Sequence, residues 1–97
     1  MPEITERARA VAALRFRALG DETRLRLLEL LTDGERTVGD LMDSTGLGQS
    51  LVSHHLRTLR QAGLVSTRRE GRWVHYGIVD AAVASVAQVV GDLEAEE

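Results

Sequence analysis

With 97 residues, 43% of them hydrophobic, the chain is expected to fold as one small globular domain (residues 1–97) whose thin core gains from self-association. It has no cysteine, which excludes disulfides, thiolate metal sites and thiol redox switches; no run approaches 18 apolar residues and the start, MPEITERARA, is charged, so a cytoplasmic chain without a membrane partner is expected. The net charge of −3 is unevenly spread, since residues 47–77 hold five arginines against the single acid Glu70, while the rest of the chain holds seven arginines against fourteen acids.

In chain order, residues 4–19 are rich in Ala and Arg with no breaker and predict a helix ending at Gly20. Asp21 is placed to cap a second helix, DETRLRLLELLTDG, with Leu25, Leu28 and Leu31 as its inward stripe and Gly34 as its end. A short third helix follows, capped by Thr37, with Val38, Leu41 and Met42 inward and Ser44-Thr45-Gly46 as its stop. The fourth helix occupies residues 49–62. After Gly63, LVSTRRE and RWVHYGIV are β-branched and aromatic runs around Gly71 and predict a hairpin with an Arg-rich tip. Asp80 caps a last helix in which Val83, Val86, Val90 and Leu93 recur at spacings of 3, 4 and 3, a seam suited to a partner helix. The order ααααββα, mainly α with a small β-hairpin, predicts a winged helix-turn-helix.

His54 and His55 raise the question of a metal or catalytic site. On a helical wheel Val52, Leu56 and Leu59 define the core face, while Ser50, His54, Arg57 and Gln61 lie opposite, with Ser53 on the flank. His55 falls beside Leu51 at the edge of the buried face. Adjacent side chains on a helix diverge, so the two rings cannot share a metal there; the helical two-histidine ligand pattern needs a spacing of four. His55 is therefore expected to be a half-buried, hydrogen-bonded structural residue. Ser50 and His54 share a face, but neither a nucleophile elbow nor a phosphate loop accompanies them, and no enzyme is expected.

Gln49, Ser50, Ser53, His54 and Arg57 instead suit major-groove reading: Arg pairs with guanine, Gln with adenine, and Ser and His reach base edges or phosphates. Arg68, Arg69, Arg72 and His75 would let the hairpin grip the backbone or minor groove of double-stranded DNA. A basic segment within an acidic frame agrees with polyanion binding, against the blander reading of a solvated charged face.

The segments LGDETRLRLLELL, VSHHLRTLRQAGLV and REGRWVHYGIVD together resemble the ArsR/SmtB family of bacterial winged-helix regulators, from about Leu14 to Asp80. The resemblance implies a homodimer through the first and last helices, a palindromic DNA operator beside a promoter, and repression by occlusion. It also implies DNA contacts from Gln49, Ser50, Ser53 and His54. Departures bear on the signal. VGDLMDS lacks the cysteine motif by which many members sense metals. In the other common site, at the last helix, Asp80 fits, but Ala82 stands where a histidine belongs, and Leu93 and Glu96 occupy the partner positions. A weak divalent-metal site from His75 and the acidic tail (Asp92, Glu94, Glu96, Glu97) across the dimer remains open, as do a small effector, a partner protein, and a winged-helix module that binds protein instead of DNA.

Overall fold

The computed structural model describes residues 5–95. The helices are α1 (Glu6–Leu19), α2 (Glu22–Leu31), α3 (Val38–Thr45), α4 (Gln49–Gln61) and α5 (Asp80–Ala95), with β1 (Val65–Glu70) and β2 (Trp73–Ile78) between the last two. The expected order ααααββα is the observed one. The expected start of the first helix at residue 4 lies outside the described residues, as do Glu96 and Glu97 of the acidic tail.

Local chemistry sets the boundaries. Thr5 accepts a hydrogen bond from the Ala8 amide, and Asp21 accepts one from the Arg24 amide, each satisfying an otherwise orphaned first-turn N–H. Thr37 and Asp40 form a reciprocal capping box at the start of α3. Gly46, at φ 75°, closes α3 in the left-handed region that only glycine enters without strain. The three-residue gap to Gln49 makes α3 and α4 a helix-turn-helix.

The strands pair antiparallel, with Arg68 opposite His75 and Glu70 opposite Trp73, leaving Gly71 and Arg72 as a two-residue turn. Gly71 has φ 60° and, among the described residues, no non-glycine residue has a positive φ, as a type II′ hairpin turn requires. The structure adds Arg36, whose backbone pairs with Tyr76 on the other edge of β2 through N–H···O bonds of 3.0 and 2.8 Å. A one-residue bridge has no periodicity, so it left no mark in the pattern.

The core is aliphatic: Leu27, Leu41, Val52, Leu56, Leu59 and Leu64 are fully buried. Val52, Leu56 and Leu59 are the face expected of α4. On α2 the expected stripe is corrected, because Leu25 is 45% exposed and Leu27 is buried with Leu28 and Leu31. Spacings of three drift by about 60° per step around a helix, whereas Leu27, Leu28 and Leu31 stay within about 100° of one another. On α5 the inward residues are Ala82 and Val86, with Val89 half-buried. Val86 thus belongs to the protomer's own core beside α1, while Val83, Val90 and Leu93 of the expected seam are exposed.

Candidate nucleic-acid interface

The buried edge of α4 fixes its opposite face. With Val52, Leu56 and Leu59 inward, Gln49, Ser50, His54 and Arg57 are exposed, and Ser53 is half-buried on the flank. These five side chains occupy the outer face of the second helix of the helix-turn-helix, the element that enters a major groove in this architecture. Gly48 caps α4 without a side-chain hydrogen bond, so the first-turn amides have no competing side-chain acceptor.

His55 points the other way and is buried more deeply than its place on the wheel suggested, at 8% exposure. Its Nδ1 lies 3.2 Å from Arg24 Nη1. A guanidinium can only donate, so Nδ1 accepts and the imidazole proton sits on Nε2. Burial pushes the His55 pKa below the ordinary imidazole value; Asp21 opposes that shift, while Arg24 and His54 add to it. The adjacent histidine rings have centroids 5.2 Å apart, one facing solvent and the other facing α2.

The hairpin divides the residues expected to grip DNA. Arg69 and Arg72 are exposed and make no ion pair among the described residues. Arg72 stacks over Trp73, 5.0 Å from the ring centroid, and Trp73 is itself 54% exposed at the hairpin tip. Arg68 is different: its Nη2 lies 2.9 Å from Glu35 Oε1, its Nε donates at 3.0 Å to the same oxygen, and Glu70 stands 3.6 Å away. That ion pair holds Glu35 below the usual carboxylate range and raises the Arg68 guanidinium. Its charge is already engaged within the fold. His75 is half-buried, with Nε2 shielded from solvent and 3.5 Å from Glu70 Oε1. Sequence order alone had grouped all four residues.

Sequence reasoning missed the arginines that hold α4 in place. Arg15 Nε of α1 donates to the Ala62 carbonyl, the C-cap of α4, at 3.0 Å. Arg24 reaches His55 from α2. Neither pairing leaves a local signal, since the partners are 47 and 31 positions apart.

Among the described residues no group of three or more His, Asp or Glu side chains is arranged to hold an ion. At the last helix, Asp80 is exposed but Ala82 is buried at 4%, a methyl group packed in the core where a ligand would be needed.

The relationships of the chain agree with this architecture. The family model described as "Bacterial regulatory protein, arsR family" matches residues 21–67, from the cap of α2 into β1. The chain is 42% identical over 83 residues to the HTH-type transcriptional regulator MJ1325 of Methanocaldococcus jannaschii, covering 84% of this chain and 93% of that protein. The chain belongs to the arsR family. Two further relatives carry opposite regulatory signs. One is the arsenical resistance operon repressor of Escherichia coli (38% identical; 79% of this chain, 67% of that protein). The other is the transcriptional activator HlyU of Vibrio cholerae (36% identical; 88% of this chain, 79% of that protein). Among solved structures, the homodimeric winged helix-turn-helix DNA-binding domain of Mb0332 from Mycobacterium bovis superposes with a TM-score of 0.75 at 35% identity, covering 95% of this chain and 91% of that one. This arsR-family chain is thus a winged-helix DNA-binding regulator and not an enzyme.

Proposed function

We propose that two copies of this chain bind a palindromic DNA operator and repress transcription by occupying the promoter. The observation that carries the proposal is the outward face of α4, where Gln49, Ser50, His54 and Arg57 are exposed side by side on a helix whose other face is locked into the core. Two such helices in a symmetric dimer enter successive major grooves roughly 34 Å apart. Arg69 and Arg72 then reach flanking phosphates or the minor groove.

The dimer is supported by apolar surface that the protomer leaves uncovered. Val11, Leu14 and Phe16 on α1 and Val83, Val90 and Leu93 on α5 are exposed, and α1 packs beside α5. A groove of about 410 Å³ runs between these two helices, floored by Val86. A second copy is the occupant favoured by the homodimeric Mb0332 domain. Repression is the sign named for the Escherichia coli relative, and occlusion needs only the DNA-binding surface described above. A soft metal held by thiolates cannot be the signal, because the chain has no cysteine.

The test is fluorescence anisotropy with a labelled duplex selected by the protein from a random-sequence library, and with a scrambled duplex of equal length. Tight binding to the first alone, with a stoichiometry of two chains per duplex, is expected. Equal binding to both at moderate salt would discard the operator reading in favour of a protein-interaction module.

A further inference from the structure

Arg24 is not on the DNA-facing surface, yet its guanidinium joins three helices. Nε donates to the Ala18 carbonyl and Nη2 donates to the Arg17 carbonyl at 3.3 Å, both in the last turn of α1. Nη1 donates to His55 Nδ1 at 3.2 Å, in the middle of α4. Its own backbone amide is held by Asp21 at 3.0 Å, so the start of α2 is part of the same cluster. A planar guanidinium presents its donors in a fixed fork, which makes it a rigid spacer between the groups it joins.

The consequence for α4 is geometric. Arg15 ties the C-cap of α4 to α1, and the Arg24–His55 bond ties its middle to the end of α1. Burial of Val52, Leu56 and Leu59 sets the roll of α4 coarsely, and the two polar attachments, directional where apolar packing is not, set it finely. Rolling α4 would swing Ser50, His54 and Arg57 together, and His54 follows directly from the ring that Arg24 holds. The helix on which both attachments converge, α1, is the one whose outer face carries Val11, Leu14 and Phe16.

We propose that Arg24 and His55 are positioning residues for operator recognition: their hydrogen bond sets the roll of α4 on α1, and so the half-site spacing that a dimer accepts. The inference rests on the dimeric operator reading above. It assigns specificity to a pair of residues that do not face the DNA.

The experiment uses the full chain and the duplex it selects from the random library, together with the same duplex carrying one extra base pair between its half-sites. The readout is the ratio of the two affinities. A variant that is merely less stable lowers active protein equally on both duplexes and leaves that ratio unchanged. The wild-type protein is expected to discriminate strongly, whereas Arg24→Met and His55→Leu should each reduce the ratio about tenfold, the scale of a lost charge-assisted hydrogen bond. His55→Gln keeps an acceptor for Arg24 and should retain the wild-type ratio. Should Arg24→Met fail to fold, His55→Leu decides, since Leu suits a buried position. A folded, dimeric His55→Leu protein with the wild-type ratio would overturn the inference, as would a His55→Gln protein as indiscriminate as His55→Leu. A wild-type protein that selects no duplex would overturn the operator reading and this inference with it; selection by the wild type with unchanged ratios in the variants overturns the inference alone.

Discussion

Arg68 and Glu35 form an ion pair that fastens the hairpin to the loop between α2 and α3, with Arg68 Nη2 2.9 Å from Glu35 Oε1. The partners are 33 positions apart, and the contact lies on the face of the hairpin that also carries Glu70 and His75. A Cβ at residue 77 would lie in ordinary van der Waals contact with Glu35, 3.4 Å from its Cγ, so the Glu35 side chain runs along the strand at this point. The pair joins the Arg36–Tyr76 bridge in attaching the hairpin and offsets the charge of one of its three arginines, whose side chain is still half exposed.

The salt dependence of DNA binding should therefore distinguish these arginines. Arg69→Ala and Arg72→Ala are each expected to reduce the slope of log K against log salt by about 1, the signature of one lost phosphate contact. Arg68→Ala should alter that slope less. Anisotropy titrations across a salt series supply the slopes; an equal loss for all three would mean that Arg68 leaves Glu35 when DNA binds.

Acid should weaken the fold through His55. Its folded pKa is depressed, chiefly by burial, so the unfolded chain binds a proton that the native site resists. The neutral ring's full contribution is present above the unfolded value of about 6.5 and is lost as pH falls below it, down towards the folded value. Asp21, Glu35 and Asp40 are also depressed, but their contributions are lost in the lower, carboxylate range. Urea midpoints measured from pH 7.5 to 5.5 should fall for the wild type and stay flatter for His55→Gln. Parallel curves would place the acid sensitivity elsewhere.

Two leucines provide a check on packing. Leu56→Ala should cost about 2–5 kcal/mol, because Leu56 is fully buried in the core. Leu25→Ala should stay within about 1 kcal/mol, since nearly half of the residue is exposed and it lies outside the core. Urea denaturation of the two variants compares them directly, and equal costs would restore the Leu25 stripe.

Self-association should be separable from folding on α5. Val90→Glu and Leu93→Glu place charges on the exposed stripe and are expected to give folded monomers at micromolar concentration. Val86→Glu buries a charge in the protomer core and should unfold it. Light scattering combined with circular dichroism distinguishes the two results; a dimeric Val90→Glu, Leu93→Glu double variant would move the interface off this stripe.

What was legible in the sequence was what repeats or caps. Asp21, Thr37 and Gly46 act on neighbours within four positions, so their roles follow from spacing alone. Val52, Leu56 and Leu59 define a face because three apolar residues recur at 4 and 3, and the outward side of α4 follows as its complement. On α2 five leucines left several stripes open, and the one chosen drifted around the helix. Arg36 with Tyr76, Arg68 with Glu35 and Arg24 with His55 are pairings across the chain, set by how elements pack. No local pattern announces them, and they give Arg68 a partner within the fold that its place in the sequence did not suggest.

The most direct test of sequence recognition by α4 is the affinity of wild type and Arg57→Ala for the selected duplex and for its scrambled counterpart. The wild type should prefer the selected duplex, and Arg57→Ala should lose about 1–3 kcal/mol of that preference while retaining its binding to the scrambled one. A folded Arg57→Ala protein with undiminished preference would contradict the assignment of this face as the reader of sequence.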